Sequence, residues 1–358
     1  MPEDERDWDG VRLHVVTGKG GTGKTTTAAA LALALARGGK KVLLVEVEDR
    51  QGIAQVFDVP PLGYADHKVA NAPGGGTVLA LAVEAKAALL EYLQMFYKLG
   101  RAAGVLDRFG AVDFATTIAP GIRDVLLTGK VYEAVRRREG GRPVYDAVVL
   151  DAPPTGRISR FLNISSEVGG LAKVGPLKTQ SDGVMAVLRS PATAVHLVTL
   201  LEEMPVQETL DGVAELEAIG LPVGGVVVNA VRTPMLPAAD LHAAEQGTLD
   251  RAAIVTGLQK AGLDPTDSLV ATMLAESSDH ATRVALEERG RDALGALDKP
   301  SYELPLLPDS VDLAGLYELA ALLSAQGMVG PALSTVDAGT TAAAAAETAR
   351  TLASGAAS

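Results

Sequence analysis

Residues 18–25 read GKGGTGKT, which places Gly18, Gly23, Lys24 and Thr25 at the spacing G-x-x-x-x-G-K-[ST]. The pattern speaks of phosphate. Gly18, Gly20, Gly21 and Gly23 tolerate positive φ, so backbone N–H groups can close around phosphate oxygens. The helix expected to follow points its positive dipole end at the same place. Lys24 is set to reach the β- and γ-phosphates of a nucleotide, and the Thr25 hydroxyl to ligate Mg²⁺. Thr22 and Thr26 complete the nucleotide-binding set of the loop. Lys19 is surplus to one nucleotide, and a lone loop lysine is ordinarily a solvated charge.

Such a loop needs a strand before it and a helix after it, and the sequence supplies both. Residues 12–16 read as a buried strand, Thr25–Arg37 as an Ala/Leu-rich helix stopped by Gly38 and Gly39, and Lys41–Val47 as a second buried strand. This is a βαβ unit. Further apolar strands are expected at Tyr145–Leu150, Val195–Leu200 and Gly225–Val228. Continuous apolar strands separated by helices predict an α/β fold with a mostly parallel central sheet covered by helices on both faces, and the phosphate-loop motif after the first strand makes the expected fold class a P-loop NTPase. A helical insert subdomain is expected at about 80–140 and 163–192. Within it Leu89, Leu93, Phe96 and Tyr97 fall at helical spacing, as packing residues or as one wall of a groove.

Other candidates sit at strand ends. Asp151 ends an apolar strand, where a carboxylate can bind Mg²⁺ through water. Pro153, Pro154, Thr155 and Gly156 form a stiff turn with one flexible joint, and the Thr155 and Gly156 amides could sense a γ-phosphate. Asn229, at the end of another strand, offers a donor and an acceptor to a purine edge or to an Asx turn. Pro305, Leu306, Leu307 and Pro308 form an apolar shelf suited to the face of adenine.

The 358 residues carry a net charge of -12 and a sequence pI near 5.0, which speaks against a nucleic-acid partner or an anionic membrane surface. The absence of cysteine removes disulfides, thiolate metal sites and cysteine nucleophiles. The opening MPEDERDWDG is acidic and no signal peptide, and no apolar run is long enough for membrane insertion, so a cytoplasmic protein is expected. Residues 1–10 are expected to be disordered, 11–328 to form the folded domain that carries the phosphate loop, and the Ala/Thr/Ser-rich 329–358 to be a disordered tail.

KGGTGKT resembles the deviant Walker A motif of the SIMIBI class of P-loop ATPases. In that class the extra lysine crosses a dimer interface to phosphates on the other subunit, which would be the role of Lys19. The rest resembles the ArsA and tail-anchored-protein-targeting branch, in family order over about residues 11–328. LLVEVEDRQGIAQVFDV, from Leu43, is similar to the switch I strand; APGIRDVLL, from Ala119, to a stretch of the helical insert; and DAPPTGRISRFL, from Asp151, to switch II. VVVNAV, from Val226, resembles the strand with the adenine-reading Asn, and LPLLPDSVDLAGL, from Leu304, the segment packing on the base. The run is most similar to ArsA-like ATPases of actinobacteria, which are often encoded as adjacent pairs.

The resemblance implies ATP and Mg²⁺ as cofactors, a homodimer or a heterodimer with a paralogous ATPase, and a protein client bound through the insert. With Glu48 standing where members usually carry the aspartate that orients the attacking water, Glu48 joins Lys19 and Lys24 as a catalytic candidate. Arg157 stands in place of the switch II histidine, to stabilise phosphate charge or to pair with a carboxylate. Without cysteine, neither an arsenite thiolate site nor a zinc clasp can form. The alternatives are a slow or non-hydrolysing half of a hetero-dimeric pair and a ParA- or MinD-like positioning ATPase; the latter needs a basic face or an amphipathic terminal helix.

Overall fold

The computed structural model describes residues 8, 10–48, 50–97, 120–163, 176–308 and 311–329. An eight-stranded sheet runs through it in the order β10-β9-β8-β1-β7-β2-β4-β3. The central strands are β1 (Leu13–Gly18), β7 (Ala147–Asp151), β8 (Thr193–Thr199) and β2 (Lys41–Glu46). All four are buried almost throughout, as a parallel sheet covered on both faces requires. β9 (Val223–Val231) and the outer strand β10 (Ser301–Pro305) continue the parallel pairing.

Two apolar layers sandwich the sheet. On one face α1 (Lys24–Leu35) packs beside α11 (Leu313–Ala325); α1 is apolar all round and buried along nearly its whole length. On the other face lie α4 (Pro120–Arg136), α5 (Thr155–Leu162), α6 (Pro176–Leu188) and α7 (Glu203–Ala218), over Val15, Val45, Val148 and Leu150. The expected α/β architecture is therefore present.

The structure differs from the expectation between β2 and β7. After α2 (Gly52–Val56) comes an antiparallel hairpin, β3 (His67–Ala72) and β4 (Gly76–Ala82), before α3 (Ala85–Tyr97). β4 pairs in parallel with β2 from Lys41–Thr77 to Glu46–Ala82. Residues 80–82, placed in the helical insert by the sequence, thus belong to the sheet. Short apolar runs such as GTVLALA do not distinguish strand from helix by periodicity. A small hairpin, β5 (Arg138–Glu139) with β6 (Arg142–Pro143), precedes β7. Between β9 and β10 stand α8 (Ala238–Glu245), α9 (Arg251–Lys260) and the 29-residue α10 (Asp267–Gly295). No helix among the described residues is long and apolar enough to cross a membrane.

Trp8 departs from the expectation of a disordered terminus: its indole Nε1 donates to Tyr302 Oη at 3.0 Å, and the ring packs on the α1 face. An indole both sheds apolar surface and finds a hydrogen-bond acceptor there. The other residues of 1–10 except Gly10, and the tail beyond Val329, lie outside the described residues. Beside Trp8, His14 and His196 are fully buried on adjacent strands, with Nδ1 of His14 3.0 Å from Nε2 of His196. The Gly225 amide donates to His196 Nδ1, so His196 carries its proton on Nε2 and donates to His14. Burial pushes His14 down to about 4, opposed by the Val11 backbone; burial and then His14 push His196 well below its usual value.

Candidate nucleotide site

β1 ends at the carboxyl edge of the sheet, between β7 and β8, where the chain turns from one half of the sheet to the other. Ligands of open α/β sheets bind at such crevices. Gly18 has φ +152, and a Cβ there would stand 2.1 Å from the Val198 carbonyl of β8. Gly23 has φ +86, and a Cβ there would meet the Asn229 side-chain nitrogen at 2.1 Å. A side chain is thus excluded at Gly18 by the β8 backbone, and at Gly23 it would be strained by the positive φ and would displace the Asn229 amide.

The Lys19 carbonyl is the hub of the loop. It accepts from Thr22 Oγ1 at 2.9 Å and from Lys24 Nζ at 3.2 Å. Lys24 is 9% exposed; burial lowers its pKa, opposed by the charges of Asp151 and Glu48. Gly20 and Gly21 carry no neighbour within 4 Å of a Cβ position, so the outer side of the loop is open. Thr26 follows Thr25 in the first turn of α1 and is partly buried. The Lys19 ammonium lies against α7, 2.7 Å from Glu208 Oε1.

Thr25 Oγ1 donates to Asp151 Oδ2 at 2.6 Å. The two residues predicted to serve Mg²⁺ thus meet between the first turn of α1 and the end of β7. Asp151 is buried and its pKa is pushed up to about 6 by burial; Thr25 opposes this, while Glu46 and Glu48 add to it. A buried carboxylate that resists ionisation beside two further acids fits a cation. No cluster of three or more His, Asp or Glu side chains able to hold a metal occurs among the described residues, so a cation here would also lean on phosphate oxygens and water.

The turn after β7 is fastened to the loop strand: Ala152 N donates to Val16 O at 2.9 Å and Thr17 Oγ1 to Pro153 O at 2.7 Å. Pro154 caps α5, Thr155 is buried with its hydroxyl donating to Glu208 Oε2 at 3.2 Å, and Gly156 is exposed. Arg157 reaches back: its Nη1 lies 3.4 Å from Glu48 Oε1. Of the two roles left open for Arg157, this geometry shows the carboxylate pair.

Glu46 was not singled out by its sequence position. Only 3% exposed, its carboxylate accepts from the backbone N–H groups of Arg50, Gly52 and Ile53 at 3.1, 3.1 and 3.3 Å. It therefore closes the loop bearing Glu48 and caps α2. Its strand-end place is the same signal that Asp151 carries, but the bonds to residues 50–53 that define its role appear only in the fold.

Asn229 is drawn to the phosphate loop. Its Nδ2 donates to the Thr22 carbonyl at 2.9 Å. The register between β9 and β10 shifts from Val228–Glu303 to Val231–Pro305, so Asn229 and Ala230 together face one residue of β10, and Ala230 takes φ +54. This bulge re-aims the Asn229 side chain. Pro305, Leu306, Leu307 and Pro308 follow at the same end of β10; Leu306 N donates to Val231 O at 2.8 Å, Leu306 and Pro308 are exposed, and Leu307 packs on the α1 face.

Beyond this site, α3, α4 and α6 enclose a cavity of ≈ 430 Å³ whose lining includes Tyr64, Glu91, Lys130, Tyr132, Arg136 and Gln180. Lys130 bridges Glu91 and Glu133 and stands over the Tyr64 ring. Of the residues expected on one helical face, Leu89 is partly buried there, while the side chains of Leu93, Phe96 and Tyr97 lie outside the described residues.

Residues 11–190 match the family model of the anion-transporting ATPase. ATPase BagA of Mycobacterium tuberculosis is 56% identical over 320 residues, which is 89% of this chain and 94% of that protein. The arsenical pump-driving ATPase of Escherichia coli is 28% identical over 269 residues, covering 71% of this chain and 45% of that protein. ATPase get3 of Schizosaccharomyces pombe is 28% identical over 183 residues, covering 48% of this chain and 51% of that protein. The family match over half of the chain and the 56% identity across most of both chains show that the chain belongs to the ArsA-type anion-transporting ATPase family, and so is an ATP hydrolase.

Proposed function

We propose that the protein is a Mg²⁺-dependent ATPase that works as a nucleotide-switched dimer and binds and releases a partner through its helical insert. The observation that carries the reading is the meeting of Thr25 with Asp151 at the mouth of the loop that holds Lys24. Lys24 neutralises the β- and γ-phosphates, the amides of residues 20–25 cradle them, and Asn229 with the 305–308 segment holds the base. Thr25 directly, and Asp151 through water, would hold Mg²⁺, which when bound neutralises the charge developing on the transferred phosphoryl group. Glu48 orients the attacking water, with Glu46 fixing its loop. The Thr155 and Gly156 amides report the γ-phosphate to α5.

One phosphate loop per chain, with Lys19 at 31% side-chain exposure on its rim, supports two chains acting together. The partner is this chain itself or a paralogue. The charged lining of the insert cavity supports a client with polar contacts.

A second reading, a slow half of a hetero-dimeric pair, is favoured by one observation. Glu48 is 16% exposed and engaged by Arg157 and Arg50, at 3.4 and 3.7 Å. Mg²⁺-ATP hydrolysis measured across protein concentrations, beside Lys19→Ala, decides between the two. Turnover per chain that rises with concentration and collapses in the variant is expected of the homodimer. Tight ATP binding without turnover, restored by a paralogous chain, overturns it in favour of the pair. Concentration-independent turnover unaffected by Lys19→Ala overturns both.

A further inference from the structure

Both lysines of the phosphate loop are engaged inside a single chain. Lys24 Nζ donates to the Lys19 carbonyl, and the Lys19 ammonium sits 2.7 Å from Glu208 Oε1. The other oxygen of the same carboxylate, Oε2, accepts from Thr155 Oγ1 at 3.2 Å. Glu208 stands in the second turn of α7, which packs on α5 and β8. One carboxylate therefore touches two segments of the candidate site at once: the phosphate loop through Lys19 and the turn after Asp151 through Thr155.

We infer that Glu208 is a positioning residue that latches Lys19 against its own subunit and ties that latch to Thr155. The inference rests on the reading that Lys19 serves a nucleotide across an interface. An ammonium held by Glu208 cannot at the same time lie against the partner's phosphates, because its strongest counter-charge pulls it back onto α7. Release frees both oxygens: Lys19 leaves Oε1, and Thr155 loses a carboxylate whose place was fixed by the ion pair. Movement of the turn at Thr155 weakens the hold on Lys19 by the same linkage. Side-chain exposures of 31% and 35% for Lys19 and Glu208 make this a breakable pair.

The test has two readouts. In the first, the full-length chain at a concentration where it is monomeric and without nucleotide is treated with a lysine-acylating reagent. Labelling of Lys19 is then compared with that of Lys260, an exposed lysine far along the chain. Glu208→Gln, which keeps the shape and removes the charge, is expected to raise relative Lys19 labelling by about two- to fivefold, the range of a part-exposed ion pair. Glu208→Asp, which keeps the charge on a shorter arm, is expected to restore part of the protection. In the second, assembly with a slowly hydrolysed ATP analogue and Mg²⁺, with the paralogous chain added where the chain alone stays monomeric, is followed by sedimentation. The Glu208→Gln midpoint is expected at lower concentration by a similar factor, with no shift in a Lys19→Ala background. Unchanged Lys19 labelling in a folded Glu208→Gln chain, or an equal midpoint shift in the Lys19→Ala background, overturns the latch. If labelling rises but neither the wild type nor the variant assembles, the latch stands and the two-chain reading falls.

Discussion

Arg157 Nη1 lies 3.4 Å from Glu48 Oε1, and these are two positions at which the chain departs from the pattern of the ATPases it resembles. The acid on the loop after β2 is thus held by a guanidinium from the first turn of α5. The pair fixes where the Glu48 carboxylate rests.

Glu48→Gln should therefore cut kcat for ATP by about 100-fold or more while leaving the KM nearly unchanged, because water orientation is lost and phosphate binding is not. Arg157→Ala should cost less, about tenfold in kcat, since Glu48 keeps its charge but loses its rest position. Steady-state kinetics of both variants and of their combination checks this; strict additivity would argue against a coupled pair.

Asp151 gives a pH dependence with a defined sign. Its folded pKa, about 6, lies above the ordinary 3.8, so the folded state keeps a proton that the unfolded chain releases between those values. Stability therefore falls as pH rises through that window, and the cost is fully present at neutral pH. Asp151→Asn should raise the melting temperature at pH 7.5, measured without Mg²⁺, by several degrees. The same carboxylate must be ionised to serve Mg²⁺. Mg²⁺-dependent ATP affinity should be flat above about pH 7 and fall by up to about tenfold per unit below about pH 6. Calorimetric titration from pH 5 to 8 should find that profile in the wild type and a shallower one in Asp151→Asn, where only the terminal phosphate of ATP, with a pKa of about 6, still titrates.

Asn229→Ala removes the bond to the Thr22 carbonyl. A single hydrogen bond of this kind is worth about 1 kcal/mol net, so the Kd for ATP should rise by roughly fivefold. Asn229→Asp should be at least as weak, because a carboxylate cannot donate to Thr22 O. Fluorescent-nucleotide titration reads both.

The buried His14–His196 pair should make the fold sensitive to acid. Both rings have folded pKa values below the ordinary 6.5, His14 at about 4. The unfolded chain therefore binds protons that the folded one refuses, and stability is lost as pH falls below 6.5. The slope is on the order of 1 kcal/mol per pH unit for each ring. Denaturant melts from pH 7 to 5 check the slope. Ring proton shifts should leave two of the five histidines untitrated at pH 5.

The parts of this molecule that are legible in sequence are the locally encoded ones. Gly18, Gly23, Lys24 and Thr25 announce themselves because their spacing alone shapes the loop, and the βαβ unit around them follows from apolar runs and glycine stops. The β3–β4 hairpin escaped because GTVLALA becomes a strand through pairing with β2. Asn229 was legible as a strand-end polar residue, but its reach to Thr22 depends on a bulge set by β10. Glu46 and Glu208 are ordinary acids in the sequence, and only the packing of α2 and α7 brings their oxygens to Ile53, Lys19 and Thr155.

The Asn229–Thr22 bond joins residues 207 positions apart. During synthesis the phosphate loop emerges early, yet its brace leaves the ribosome only after β9. A chain arrested after β8 would have the glycines, both lysines, Thr25 and Asp151, but no clasp on the loop. Residues 11–190, the span shared with the family model, also end before β8, the strand whose Val198 carbonyl presses on Gly18. With the clasp worth about 1 kcal/mol, the loop of such an arrested chain should hold nucleotide about fivefold more weakly than the finished one, so the last part of its grip is added by a strand made late.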